Sequence, residues 1–221
     1  GAREHAGGES GVVPTAMVSD AVIKRLPTYL RYLDMLLEKK IYRISSNELG
    51  RIMGLTPSQV RQDINTFGGI GRQGYGYPII DLKKHIEDVM GISKQQNMII
   101  LGAGNIGSAI AGYREFANSG FQTLALFDVD KSKVGHKIND IPIYSLDELE
   151  AFVKNNNIRY AIIACPANHA QELADRAYEA GIRGFWNFAP IDLKLKNNAV
   201  SVNVSLSESL QQLSFRLKQL T

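Results

Sequence analysis

Apolar residues recur along this chain with two different periods, and the change of period divides it. In the front part, Val22, Ile23, Leu26, Leu30, Leu33, Leu36 and Leu37 fall at helical spacing. Pro27 interrupts that run and predicts a fresh start or a kink. Ser45, with Glu48 three residues on, is a capping-box signature, and Gly54 closes the helix it opens. Thr56-Pro57-Ser58-Gln59 is a second box with proline at the first helical position. Two short helices joined by so short a turn form a helix-turn-helix pattern. In the second of them Val60 and Ile64 face inward, and a further helix is predicted over 82–90. Behind residue 91, short apolar runs alternate with helical stretches. Strands are predicted over 97–101, 123–127, 142–144, 160–164 and 182–186, and helices over 105–117, 145–154 and 168–180. Such alternation implies an α/β fold with a doubly wound parallel sheet. A last helix, behind a box formed by Ser205 and Glu208, carries Leu206, Leu210, Leu213, Leu217 and Leu220 at alternating spacings of four and three. That seam predicts docking on a second subunit.

Composition narrows the class. The chain has 221 residues, of which 44% are hydrophobic, enough for one large or two small domains. The longest apolar runs are about six residues, far short of the ~20 a membrane span needs. No signal-peptide pattern is present. A single cysteine, Cys165, can form no internal disulfide and no metal site alone, which suits a reducing cytoplasm. The net charge is +3, with 11 Lys/Arg against 8 Asp/Glu in 17–90 and 13 against 12 in 91–221, so the excess lies in front. Residues 1–15, rich in small residues and without periodicity, read as a disordered or vector-derived tail.

The front segment (16–90) has the residues to read a DNA groove. Ser58, Gln59, Arg61 and Gln62 stand near the start of the second helix, where side chains reach base edges and phosphates. The following run from Phe67 to Ile79 holds five glycines with Arg72, Tyr75 and Tyr77, a candidate wing in which Arg72 enters a minor groove. Arg43 and Ser45 complete the candidate DNA contacts. A tight hairpin packed on its own core is the plainer alternative for the same run.

Residues 91–204 carry a dinucleotide signature. Ile99-Ile100-Leu101 breaks into Gly102-Ala103-Gly104-Asn105-Ile106-Gly107, the strand–turn–helix context in which glycines admit a pyrophosphate at a helix N-terminus. Leu124-Ala125-Leu126-Phe127-Asp128 ends in an acid 26 residues after Gly102, placed for an adenosine ribose 2′-hydroxyl, with Val129 beside it. This favours NAD over NADP. Cys165-Pro166 ends the next strand at the ligand-facing edge and lines the pocket. His5, His85, His136 and His169 have no partner at catalytic spacing, so a dehydrogenase lacks its acid–base pair.

These motifs, with Phe127-Asp128-Val129-Asp130 and Trp186-Asn187-Phe188-Ala189-Pro190, resemble in order the Rex family of bacterial redox-sensing repressors, over about residues 18–217. The resemblance implies a homodimer with an N-terminal winged helix, a Rossmann-type domain and a C-terminal helix (205–221) exchanged between subunits. It implies binding to palindromic double-stranded operator DNA, released as NADH accumulates over NAD+. It also puts Gln59, Arg61 and Arg72 on DNA and Tyr113 and Phe188 near the nicotinamide. By the same resemblance, Arg31 matches a family arginine that links the DNA-binding helix to the sensor site, with Tyr113 and residue 205 as the other switch positions. Two positions depart from the pattern. Gln62 stands where many members have Lys, and Ser205 where many have Asp, so no ion pair with Arg31 can form. An oxidoreductase with an accessory winged helix, or a regulator sensing a coenzyme A thioester, are the competing readings.

Overall fold

The computed structural model describes residues 18–66 and 74–220, and the chain divides into two units, Gly1–Ser93 and Lys94–Thr221. The first unit comprises α1 (Asp20–Glu38), β1 (Arg43–Ile44), α2 (Ser46–Met53), α3 (Pro57–Thr66), β2 (Tyr77–Pro78) and α4 (Ile79–Val89). Pro27 neither breaks nor restarts α1, which runs through it. The proline removes a single backbone donor, while Val22, Leu26, Tyr29, Leu33 and Leu36 bury one continuous stripe on both sides of it. Both expected caps form. Ser45 Oγ accepts from the Glu48 N–H at 3.1 Å, and the Glu48 carboxylate accepts from the Ser45 N–H at 2.9 Å. Those bonds hold the Glu48 carboxyl below its usual value. Thr56 and Gln59 exchange the same pair of bonds at 3.2 and 3.1 Å. The turn between α2 and α3 folds so tightly that a Cβ on Gly50 would stand 2.6 Å from the Leu55 carbonyl oxygen.

Helix α3 is anchored by a buried acid as well as by Val60 and Ile64. Asp63 is 2% exposed, and Arg25 of α1 donates to its two carboxylate oxygens at 2.8 and 2.7 Å. The Tyr29 hydroxyl adds a third bond at 2.9 Å. Burial, then that hydrogen bond, pushes the Tyr29 phenol far above its ordinary value. β1 and β2 pair antiparallel, Arg43 with Pro78 and Ile44 with Tyr77. Most of the expected wing, residues 67–73 with Arg72, lies outside the described residues. The helix expected over 82–90 begins earlier, at Ile79.

The second unit is built on β3 (Gln96–Leu101), β4 (Phe121–Asp128), β5 (Lys137–Ile138), β6 (Ile141–Ser145), β7 (Tyr160–Ile163), β8 (Gly184–Asn187) and β9 (Val200–Asn203). The sheet order is β5-β6-β4-β3-β7-β8-β9, parallel throughout except for the β5–β6 pair. One face, with Leu101, Phe127 and Ile163, packs against α7 (Leu149–Asn155) and α8 (Ala167–Ala180). Ala170, Ala174 and Ala177 form the contact stripe of α8 and let it lie close to the sheet. The opposite face, with Met98, Ile100 and Ile162, packs against α5 (Asn105–Ala111). The helix expected over 105–117 is two pieces: α5 stops before Gly112, and α6 (Glu115–Asn118) begins after it. Gly112 is a poor helix former, and the Asn139 side chain fills the space where its Cβ would stand. Neither β5 nor β9 was expected. The last helix, α9 (Leu206–Lys218), is capped by Ser205 Oγ at 3.2 Å from the Glu208 N–H. The expected reciprocal bond from Glu208 is not formed, so the box is half made. No residue of α9 is buried.

The Asp63→Ala variant should lose about 2 kcal/mol of unfolding free energy in urea, because it leaves the buried Tyr29 hydroxyl without its acceptor and a partly exposed guanidinium without its partner. An unchanged denaturation midpoint would show that α1 and α3 are held by apolar packing alone.

Candidate nucleotide and DNA-binding sites

The carboxyl ends of β4, β3, β7 and β8 lie side by side, and the chain winds away from β3 in both directions. This is the switch-point geometry at which open α/β sheets hold ligands. Gly102 leaves β3 with φ +111°, and a Cβ there would stand 2.4 Å from the Ala164 carbonyl oxygen and 3.2 Å from the Cys165 nitrogen. A Cβ on Gly107 would stand 1.9 Å from the Gly102 carbonyl oxygen. The first and third glycines are therefore required by packing. Gly104 differs: a Cβ there meets nothing within 4 Å. The middle glycine borders open space at the N-terminus of α5, where a pyrophosphate would lie.

Asp128 closes one side of the crevice. Its Oδ2 accepts from the Ala103 N–H at 2.8 Å, and its Oδ1 from the Asp130 N–H at 2.8 Å. A carboxylate has about four acceptor positions, so ribose hydroxyls can add to these bonds. Lys133 Nζ lies 3.7 Å from Oδ2, a cation that the motif reading missed. Val129 is exposed beside it, and Ile106 is partly exposed on the first turn of α5. On the other side Cys165 is half-buried, and burial pushes its thiol upward, which keeps it protonated at neutral pH. Pro166 caps α8. Phe188 is fixed by its N–H, which donates to the Ile163 carbonyl at 2.9 Å.

Tyr113 is not brought to the glycine loop. It follows the far end of α5, beside a groove of about 340 Å³ that Arg114, Phe116, Asn139 and Asp140 also line. It connects to Phe188 through a row of edge-on rings: Tyr113 to Phe116 at 4.8 Å, Phe116 to Trp186 at 5.6 Å, Trp186 to Phe188 at 4.7 Å. Phe116 gave no signal in the sequence, because its spacing fits a continuous helix that does not exist. Among the described residues no cluster suited to a metal ion occurs.

In the first unit Ser58, Gln59, Arg61 and Gln62 are exposed on α3. Arg61 donates to Ser46 Oγ and to Ser58 Oγ, both at 3.1 Å, so the guanidinium is pre-positioned across the start of both helices. Ser45 and Gln59 also serve as caps. Arg43 donates to the Tyr75 carbonyl at 3.2 and 3.1 Å and so pins the base of the glycine-rich run. Tyr75 is 75% exposed, whereas Tyr77 is packed against the core, where burial raises its phenol. Arg31 is exposed, its guanidinium 5.1 Å from the Tyr32 ring centre.

Two family models match, "Putative DNA-binding protein N-terminus" over residues 17–65 and "CoA binding domain" over 93–191. The redox-sensing transcriptional repressor Rex of Clostridioides difficile (strain 630) is 48% identical over 202 residues, which cover 91% of this chain and 96% of its own. That of Caldanaerobacter subterraneus subsp. tengcongensis is 47% identical over 203 residues, covering 92% and 91%. RSP in complex with β-NAD+ and operator DNA matches with a TM-score of 0.87 and 46% identity, covering 92% of this chain and 94% of that one. RSP in complex with β-NADH matches with a TM-score of 0.82 and 44% identity, covering 92% and 95%. A helix-turn-helix unit and a Rossmann-type unit on one chain define a DNA-binding regulator of the dinucleotide-binding class. The chain belongs to the Rex family.

The Gly104→Ala variant should separate binding from folding. Its stability should stay within about 0.5 kcal/mol of the parent, while NADH affinity in a fluorescence titration falls about tenfold or more, since the methyl group intrudes on the phosphate path. Unchanged affinity would place the pyrophosphate elsewhere.

Proposed function

We propose that this chain is a cytoplasmic redox-sensing transcriptional repressor that binds palindromic operator DNA as a homodimer and leaves it when NADH binds. The observation that carries the reading is the pairing, on one chain, of the α3 face around Arg61 with a Rossmann crevice closed by Asp128, along nine-tenths of which Rex repressors match.

The chemistry supports a preference for NADH. The oxidised nicotinamide ring is a cation and the reduced ring is neutral. A nicotinamide ring held against Phe188 and Ile106 is taken partly out of water, which penalises the charged form, because burying an unpaired charge is costly. Binding, not turnover, is then the output. A nucleotide can shift DNA affinity only by its differential affinity for the two states, about 1–3 kcal/mol in typical couplings. Asp128 also speaks against coenzyme A, whose adenosine ribose carries a phosphate that a neighbouring carboxylate repels. Ser205 carries no charge with which to pair Arg31, and its hydroxyl already accepts from the Glu208 N–H at 3.2 Å.

Dimerisation supports the same reading. Leu206, Leu210, Leu213 and Leu217 are each more than 60% exposed on α9. Val200 and Val202, on the sheet face away from α8, are 71% and 65% exposed. Two uncovered apolar surfaces of this size on one chain fit a helix exchanged with a second copy.

Fluorescence anisotropy of a labelled duplex from upstream of the protein's own gene tests the function. NADH should release the duplex against a background of NAD+, and NAD+ alone should not. Equal affinity for the two nucleotides, or displacement of NADH by coenzyme A, would sink the reading. The Leu213→Glu variant should sediment as a monomer and bind that duplex at least about tenfold more weakly, since each half-site contact then stands alone. A dimeric variant would remove α9 from the interface.

A further inference from the structure

Asn187 ends β8 with a side chain that is 0% exposed, an unusual burial for an amide. Around it the chain from Phe188 to Asp192 is wrapped. Its Oδ1 accepts from the Ala189 N–H at 3.0 Å, which fixes the orientation of the amide. Its Nδ2 faces three acceptors: the Ile191 carbonyl at 2.7 Å, the Asn203 Oδ1 at 3.1 Å and the Ala189 carbonyl at 3.2 Å. An amide nitrogen has two protons. Ile191, the shortest contact, takes one. The second is contested between Ala189, in the loop that begins at Phe188, and Asn203, the last residue of β9.

Asn203 is itself oriented. Its Nδ2 donates to Asp192 Oδ1 at 2.8 Å, and an ionised carboxylate can only accept, so Asn203 must turn its oxygen toward Asn187. Two residues beyond Asn203 stands Ser205, the cap of α9. The contested proton thus has two discrete positions, one belonging to the Phe188 loop and one to the base of α9. Coupling between sites needs an element of this kind, with two arrangements that each site can bias.

We propose that Asn187 and Asn203 are positioning residues that transmit occupancy of the nucleotide crevice, felt at Phe188, to the base of α9. The inference rests on the NADH-responsive repressor reading. A nucleotide that moves Phe188 shifts the Ala189 carbonyl, hands the second proton of Asn187 to or from Asn203, and resets the strand end that carries Ser205.

The test uses the full-length dimer, the labelled upstream duplex and NADH. Wild type is measured first, and a failure of NADH to release DNA there ends the repressor reading and the link with it, before any variant is made. Given release, Asn203→Leu and Asn203→Ala remove the acceptor at an exposed strand end. Each should leave NADH affinity, and DNA affinity without nucleotide, within about threefold of wild type. The NADH-driven weakening of DNA binding should shrink at least about fivefold, the lower end of ordinary couplings. Wild-type coupling in both Asn203 variants overturns the proposal. So does a parallel loss of NADH or DNA affinity, which marks a merely structural bond.

Discussion

Helix α5 can begin where it does only because no side chain stands between Gly107 and the carbonyl of Gly102. That contact pulls the helix against β3 and aims its free N–H groups into the crevice beyond the strand ends. The rest of the site is arranged around this close approach. Gly102 packs its backbone on Ala164, which brings the β7 end and Cys165 to the same rim. Asp128 receives the Ala103 N–H, so the acid at the end of β4 and the glycine loop after β3 are fastened to each other before any ligand arrives. A site organised in advance spends less binding free energy on ordering itself, which leaves more for discriminating between ligands that differ by one charge.

The sequence was most legible where a single local rule governs the outcome. Capping pairs at Ser45 and Thr56, the inward Val60 and Ile64, and the strand leading to Gly102 each follow from residues a few positions apart. It was least legible where the deciding partner is distant. The end of α5 at Gly112 depends on Asn139, 27 residues away, so a helix of continuous periodicity was expected where two short ones form. Strand β9 alternates Val200, Ser201, Val202 and Asn203, a true strand signal, but four residues after a polar loop carry little weight until β8 offers an edge to pair with. Lys133 and Asn187 are single residues without a repeating pattern, and only the fold brings them to Asp128 and to the Phe188 loop. Asp63 gave no signal of its own, because its partner Arg25 lies 38 residues earlier.

The two units divide the problem of a switch. In the second, packing at the glycines fixes the crevice at the end of β3, while the loop from Phe188 hangs on one buried amide with more acceptors than protons. In the first, α3 is locked to α1 by two charged hydrogen bonds and a phenol.

The anchoring of α3 also separates what evolution can alter from what it must keep. Val60, Asp63 and Ile64 tie the helix inward, while residues 58, 59, 61 and 62 make no contribution to the core. The outer row is therefore freer to change than the inner one, except where Gln59 completes the cap of α3 and Arg61 bonds Ser46. One side of the helix can change its chemistry while the other stands still.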